Sequence, residues 1–168
     1  FMKDECDALN PAFFHYITTG TPYVVMKYAM TADGKISTRT GESKWISGKE
    51  SRHLVQKMRY TYAGIMAGIG TVLADDPMLN VRLEGKRSPI RIICDSNLRI
   101  PLSSKIVKSA GEYKTIIACA LSVDELSSDP ALREKKTALE RSGTEIIHVP
   151  GENGRVDLYS LMLILGTK

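Results

Sequence analysis

Residues 64–82, GIMAGIGTVLADDPMLNVR, combine glycines and polar side chains in an order that could bind an anionic ligand. After an apolar run, these positions are Gly68, Gly70, Thr71, Asp75, Asp76 and Arg82. The order predicts a buried strand, a tight turn and a short helical turn whose first backbone amides are free. Such amides bind phosphate, and the carboxylates and the arginine could then hold sugar hydroxyls or a second anion.

The same stretch does not carry the dinucleotide-binding fingerprint of a Rossmann fold. That fingerprint needs a third glycine three residues after the second, and Leu73 occupies this position. A lone Gly-x-Gly is also typical of an ordinary strand-to-helix turn, and both interpretations stay open on this segment alone.

Lys27 and Trp45 are further candidates for contact with a ligand. Lys27 lies in the middle of an apolar run, residues 23–30, that predicts a strand. It is either an edge-strand lysine that discourages aggregation or an ammonium group held in a cleft. Trp45, the single tryptophan, lies between Ser43 and Ser47, where it could belong to the core or stack on a flat ring.

Arg59 and the residues after a second predicted strand complete the candidates. Ser47 and Glu50 have the spacing of a capping box, which predicts a helix that ends near Arg59. An arginine there either interacts with the helix dipole or binds a phosphate. Asp95-Ser96-Asn97 follows a predicted strand, and in α/β proteins ligands bind beyond the carboxyl ends of the strands.

The hydrophobic pattern alternates strands with helices and predicts an α/β fold with a mostly parallel sheet flanked by helices. The predicted strands are residues 23–30, 63–67, 90–95, 115–120 and 144–149, with a short return strand at 35–37. The predicted helices are residues 47–59, 130–142 and 158–165. Residues 1–20 are expected to form an arm or linker, and residues 21–168 one domain.

Composition limits the possible partners. The chain has 168 residues and a net charge of +4, and its basic residues are dispersed, which disfavours nucleic-acid binding. Its cysteines show no disulfide or metal-ligand spacing, so no metal is expected and a cytoplasmic location is the default. No apolar run is long enough to predict a membrane span. The first residue, Phe1, and the apolar final residues suggest a piece of a longer protein.

Taken in order, several motifs resemble one family. They are Lys27, the Asp-Gly-Lys turn, Ser-x-Trp-Ile, Arg59, GxGTVLADDPxLxxR and CDSNLRIP. Together they resemble the reductase domain of the bifunctional riboflavin-biosynthesis deaminase/reductases, the RibD family. The resemblance implies a dihydrofolate-reductase-like fold and NADPH-dependent reduction of 5-amino-6-(5-phosphoribosylamino)uracil, with hydride transfer to C1′ of the opened ribose.

The resemblance also implies roles for individual residues. The positions that match cofactor contacts are Ala29, Trp45, Thr71, Asp75 and Ser96, and those that match substrate contacts are Ser43, Arg59, Leu79 and Arg82. Lys27 matches a lysine near the reacting sugar and is the candidate catalytic residue. Arginine forks suit a 5′-phosphate or a pyrimidine carbonyl, and a lysine could donate a proton to the ribose oxygen as the ring opens.

The sequence departs from the family pattern at its end. The family continues with a strand and a Glu-Gly-Gly-type loop that contacts cofactor and substrate, so the fold is expected to be C-terminally incomplete and this chain inactive alone. A zinc deaminase domain is expected upstream and a homodimer is implied. Two alternatives remain: another small-molecule reductase on the same fold, or a non-catalytic assembly domain beside a zinc deaminase.

Overall fold

A computed structural model describes residues 2–168 of the chain. Four parallel strands form the central sheet. They are β1 (Gly64–Gly68), β2 (Ile90–Cys94), β3 (Thr115–Cys119) and β4 (Thr144–His148), and their spatial order is β1-β2-β3-β4. Isoleucine is frequent in β2 and β3, as expected for strands buried on both faces. Ile93 pairs with Ile117, which pairs with Ile146.

Helices connect the strands and cover the sheet. They are α1 (Lys3–Leu9), α2 (Pro11–Thr19), α3 (Lys49–Thr61), α4 (Ile69–Asp75), α5 (Lys105–Lys108), α6 (Val123–Ser128), α7 (Pro130–Arg141) and α8 (Leu158–Gly166). A hairpin of β5 (Gly151–Glu152) and β6 (Arg155–Val156) precedes α8. Asp129 caps α7 and Asp157 caps α8 through side-chain hydrogen bonds, as predicted.

Successive residues of the strands contribute to two hydrophobic clusters, because side chains alternate between the two faces of a sheet. Ile93 and Ile117 belong to one cluster, together with Leu139 of α7. Ile92 and Ile116 belong to the other, together with Leu161 of α8. A hydrophobic cluster therefore lies on each face of the sheet, which confirms the predicted α/β class with a parallel sheet flanked by helices.

The predicted strand at residues 23–30 is wrong for this structure. The segment has no regular secondary structure, and every hydrogen bond that residues 22–46 form within the described chain stays inside that segment. Met26 and Tyr28 are 80% and 60% exposed. An apolar alternating sequence becomes a strand only when a neighbouring strand pairs with its backbone. The predicted return strand at 35–37 is likewise absent from the described structure, and a turn takes its place. In this turn the amide of Thr31 donates a hydrogen bond to the carbonyl of Lys35.

One local prediction before α3 also differs. Helix α3 begins at Lys49 with Gly48 as N-cap, and no side-chain capping bond forms, so the Ser47–Glu50 capping box is wrong. The described part of residues 1–20 forms α1 and α2, with Asn10 capping α2, and the role of this range as an arm or linker stays a prediction. None of the described helices combines the length and apolar character needed to cross a membrane.

Candidate functional site

A cavity of about 390 Å³ lies between the end of α3 and the loop that follows α4. Its lining residues are Arg59, Asp75, Asp76, Pro77, Met78, Leu79, Asn80, Arg82 and Lys105. Helix α3 contributes Arg59, residues 76–82 contribute most of the wall, and α5 contributes Lys105. Four residues that the sequence predicted as site residues therefore lie around one cavity: Arg59, Asp75, Leu79 and Arg82.

Arg59 is the most constrained cation of the cavity. Its Nη1 donates a hydrogen bond to the backbone carbonyl of Asn80, 3.0 Å away. Within the part of the chain that the structure describes, its buried Nε has no hydrogen-bond partner. Burial lowers the pKa of Arg59, and the neighbouring positive charge of Arg82 lowers it further. Arginine stays protonated in proteins despite such a shift, so two positive charges lie near each other at this cavity.

The carboxylates of the cavity do not neutralise these two arginines. Within residues 2–168, neither Arg59 nor Arg82 forms an ion pair with a carboxylate. Asp76 instead lies 3.7 Å from the Nζ of Lys105 and accepts a hydrogen bond of 2.8 Å from the backbone amide of that lysine. Both guanidinium groups are therefore available to a bound anion, which arginine recognises through paired N–H donors.

Hydrogen bonds with the side chains of Gln56 and Ser88 hold residues 76–82, the binding loop. The amide of Arg82 donates to Oε1 of Gln56 on α3 at 2.9 Å, and the amide of Val81 donates to Oγ of Ser88 at 3.0 Å. Asp76 and Leu79 adopt positive φ angles of 40° and 53°, which non-glycine residues rarely do. A strained backbone of this kind persists only where its surroundings hold it in place.

Thr71 and Ser96 lie elsewhere, past the carboxyl ends of β1 and β2. Thr71 is in the first turn of α4, whose N-cap Gly68 provides no side-chain capping bond, so the predicted turn and short helix with uncapped amides are present. The Oγ of Ser96 accepts a hydrogen bond of 3.0 Å from the amide of Val156 and keeps its own proton to donate. The chemistry of these donors fits a polar cofactor such as a nicotinamide dinucleotide at that edge.

Helix α4 separates these two groups of predicted residues. Thr71 is at its start, near the carboxyl edge of the sheet, and Asp75 is its last residue and lines the cavity. At 1.5 Å per residue, the step of four residues from Thr71 to Asp75 spans about 6 Å along the helix. A ligand pair that contacts both groups would therefore extend along α4.

The remaining predicted residues are not brought to the cavity. The irregular segment before α3 contains Lys27, Ala29, Ser43 and Trp45. None of these residues lines the cavity. Trp45 is 72% exposed, and the guanidinium of Arg52 stacks over its ring at 4.3 Å. Their assigned roles stay predictions.

Sequence reasoning missed Lys105 and Gln56. Lys105 begins a four-residue helix, too short to leave a periodic hydrophobic signal. Gln56 acts through its side-chain oxygen on the loop backbone, 26 residues further along the chain, and no local pattern encodes such a contact. Among the described residues, no group of three or more His, Cys, Asp or Glu side chains is arranged to hold a metal ion.

The parallel sheet flanked by helices, with an arginine-lined cavity beside it, defines an α/β domain whose cavity chemistry suits an anionic ligand. Residues 22–168 match the family model described as the RibD C-terminal domain. The chain therefore belongs to the RibD C-terminal domain family.

Individual relatives agree with this assignment. The riboflavin biosynthesis protein RibD of Actinobacillus pleuropneumoniae is 50% identical over 165 residues, which cover 98% of this chain and 42% of the relative. The 2,5-diamino-6-ribosylamino-4(3H)-pyrimidinone 5′-phosphate reductase of Archaeoglobus fulgidus is 36% identical, over 88% of this chain and 66% of the relative. The chain thus spans less than half the length of the RibD protein from Actinobacillus.

The fold agrees as well. A crystal form of RibD from Acinetobacter baumannii superposes with a TM-score of 0.76 and 29% sequence identity, covering 98% of this chain and 42% of that one. This similarity confirms the dihydrofolate-reductase-like fold expected from the sequence.

Proposed function

We propose that this chain carries the reductase function of riboflavin biosynthesis and acts on 5-amino-6-(5-phosphoribosylamino)uracil with NADPH as the reductant. Family membership supports the proposal, as do two relatives, one a riboflavin biosynthesis protein and one a 2,5-diamino-6-ribosylamino-4(3H)-pyrimidinone 5′-phosphate reductase. The product would be the corresponding ribitylamino compound.

The observation that carries the proposal is the pair of arginines without carboxylate partners at one cavity. Arg59 and Arg82 are close enough for the charge of one to lower the pKa of the other. A dianionic 5′-phosphate between them would remove this repulsion and supply acceptors for their free N–H groups. Leu79 also lines this cavity and would give the sugar or base an apolar contact.

The nicotinamide cofactor would be held chiefly at the carboxyl edge of the sheet. When bound, NADPH supplies the hydride that reduces C1′ of the opened ribose. The Ser96 hydroxyl and Thr71 would provide hydrogen-bond donors, and Asp75, at the other end of α4, would accept from ribose hydroxyls. Ala29 and Trp45 complete the proposed cofactor contacts, and Ser43 the proposed substrate contacts.

Lys27 is proposed as the group that donates a proton to the ribose oxygen as the ring opens. It is exposed in an irregular segment, so this role requires residues 22–46 to pack against the ligands in the active assembly. A zinc-dependent deaminase domain upstream and a homodimeric assembly are proposals that follow from the family alone.

The test combines binding and turnover. Ribose 5-phosphate and NADPH are titrated separately into this chain, and NADPH oxidation with the phosphoribosylaminouracil is measured in the intact natural protein. We expect saturable binding of both ligands, and turnover that fails when Arg59 and Arg82 are both replaced by methionine. Turnover of dihydrofolate but not of the phosphoribosylaminouracil would select another reductase function. Absence of saturable NADPH binding and of turnover in the intact protein would favour a non-catalytic assembly domain.

A further inference from the structure

Arg91, the second residue of β2, is a charged side chain with no exposed surface. Its Nε donates to Oγ of Thr115 at 3.1 Å. Its Nη1 donates to the carbonyl of Met78 at 3.1 Å and to Oγ of Ser109 at 2.8 Å. Its Nη2 donates to the carbonyls of Ile106 and Tyr113 at 2.9 and 3.1 Å, and to Thr115 at 2.6 Å.

All of these acceptors are neutral, and no carboxylate pairs with Arg91 among residues 2–168. Burial lowers the pKa of Arg91, whereas Tyr113 and Glu112 raise it, and an arginine stays charged in either case. Burying an unpaired charge is unfavourable compared with burying an apolar residue of similar volume. Stability alone is therefore a poor reason for an arginine at this position.

The contact with Met78 gives Arg91 a connection to the cavity. Met78 lies directly before Leu79, whose φ of 53° is unfavourable for a leucine. The other acceptors belong to α5 and its C-cap, to Tyr113 and to the first residue of β3, and buried residues of α5 and β3 are part of the hydrophobic core. The guanidinium thus holds the strained part of the binding loop to the rigid part of the domain.

We propose that Arg91 is a positioning residue for the anion-binding cavity. By holding the carbonyl of Met78, it keeps Leu79 in the left-handed conformation. The direction of the loop after Leu79 then lets the carbonyl of Asn80 accept from Arg59. The same direction places Arg82 in the lining of the cavity. The inference rests on the proposed function for the identity of the anion, and on the loop geometry for everything else.

The test uses Arg91→Lys and Arg91→Met, with Arg133→Met on the exposed side of α7 as the matched control. Lysine keeps the charge but lacks the planar fork that reaches several acceptors at once. The first measurement is the intraresidue amide–Hα NOE of Leu79 by NMR, which is strong only when φ is positive. The second is the affinity for ribose 5-phosphate, and the third is the cooperativity of unfolding.

We expect both Arg91 variants to lose the strong Leu79 NOE and to bind ribose 5-phosphate about tenfold more weakly or worse, as for a lost charge-assisted contact. Unfolding should remain cooperative, and the control should match the wild type. Thr115→Val, which is nearly isosteric and removes the acceptor of Nε while Arg91 stays, should produce a smaller change in the same direction.

Folded Arg91 variants that keep both the Leu79 NOE and wild-type affinity would overturn the proposal. If the Arg91 variants do not fold, Thr115→Val decides in the same way, because unchanged loop geometry and affinity in that variant would overturn it. The two proposals can fail separately. If the wild-type chain does not bind ribose 5-phosphate, the proposed function is contradicted. If the Leu79 NOE is nevertheless strong in the wild type and lost in Arg91→Lys, the positioning role is still supported.

Discussion

Arg59 on α3 and Asn80 in the binding loop are joined by a hydrogen bond of 3.0 Å from guanidinium Nη1 to the backbone carbonyl. This bond uses one donor of the guanidinium and fixes the direction of the rest. The buried Nε has no hydrogen-bond partner among residues 2–168, and a buried unsatisfied donor is costly. We expect a bound anion to reach the guanidinium through its remaining Nη donors.

Replacing Arg59 with methionine should weaken ribose 5-phosphate binding by about ten- to a hundredfold, because a charge-assisted hydrogen bond contributes about 1.5–3 kcal/mol. Isothermal titration calorimetry at fixed ionic strength measures the change. Thermal stability should change little or rise, since the variant removes a partly buried charge that its neighbour Arg82 repels.

Arg133→Met, on the exposed surface of α7, is the control for a general loss of positive charge and should bind like the wild type. Equal affinities for Arg59→Met and the wild type would show that the phosphate does not bind at this cavity.

The sequence predicted those elements whose signals are local. Apolar runs rich in isoleucine mark the strands from Ile90 and Thr115, and Asp129 marks the start of α7, because a capping side chain acts on amides two and three residues away. The grouping of Arg59, Leu79 and Arg82 was implied by family resemblance, and the structure brings these residues to one cavity.

Features that depend on distant partners were not predictable. Residues 23–30 have the composition of a strand, but composition does not supply the neighbouring strand that would pair with them. Arg91 lies between two isoleucines of β2 and is fully buried. Its acceptors come from the binding loop, from α5 and its C-cap, and from residues 113–115, and only the folded structure reveals them.

Replacing Ser96 with alanine should weaken NADPH binding about two- to tenfold, as expected for the loss of one neutral hydrogen bond. It should also release the amide of Val156, which donates to Ser96. Fluorescence titration measures the first effect, and amide hydrogen exchange at Val156 measures the second. Ser127→Ala, on the surface of α6, is the control. Faster exchange at Val156 with unchanged NADPH affinity would assign Ser96 a purely structural role.

Replacing Lys27 with methionine should lower kcat of the intact natural protein by about a hundredfold, which is within the range for general acid catalysis. The affinity of the chain for ribose 5-phosphate should not change, because Lys27 does not line the cavity. Lys35→Met is the control for the loss of any lysine from the same segment. The Lys35→Met protein should retain the wild-type kcat. A Lys27→Met protein with wild-type kcat would exclude the proposed proton donor.

Acidification should destabilise α8 through Asp157. Hydrogen bonds from the side chain and backbone of Ser160 lower the pKa of this carboxyl below its ordinary value of 3.8. Because the folded pKa is the lower one, the stabilisation is complete above the ordinary value and is lost as the pH falls through the lowered one. NMR titration of the Ser160 amide follows the loss. Asp157→Asn keeps a capping oxygen but should show no such transition, and a transition of the same size in that variant would assign it to other groups.

Gly143, which ends α7, should be intolerant of a side chain for two separable reasons. Its φ of 92° is unfavourable for any L-residue with a Cβ, and an added Cβ would lie 3.1 Å from the amide nitrogen of Gly111 and 3.2 Å from the carbonyl carbon of Ala110. Gly85 also has a positive φ, of 65°, but an added Cβ there meets nothing within 4 Å. Gly85→Ala therefore measures conformational strain alone, about 1 kcal/mol.

Gly143→Ala should lower the free energy of unfolding by about 2–4 kcal/mol in urea titrations, since strain and close backbone contact add. Equal losses in the two variants would mean that the α7–β4 turn shifts away from Gly111 without cost.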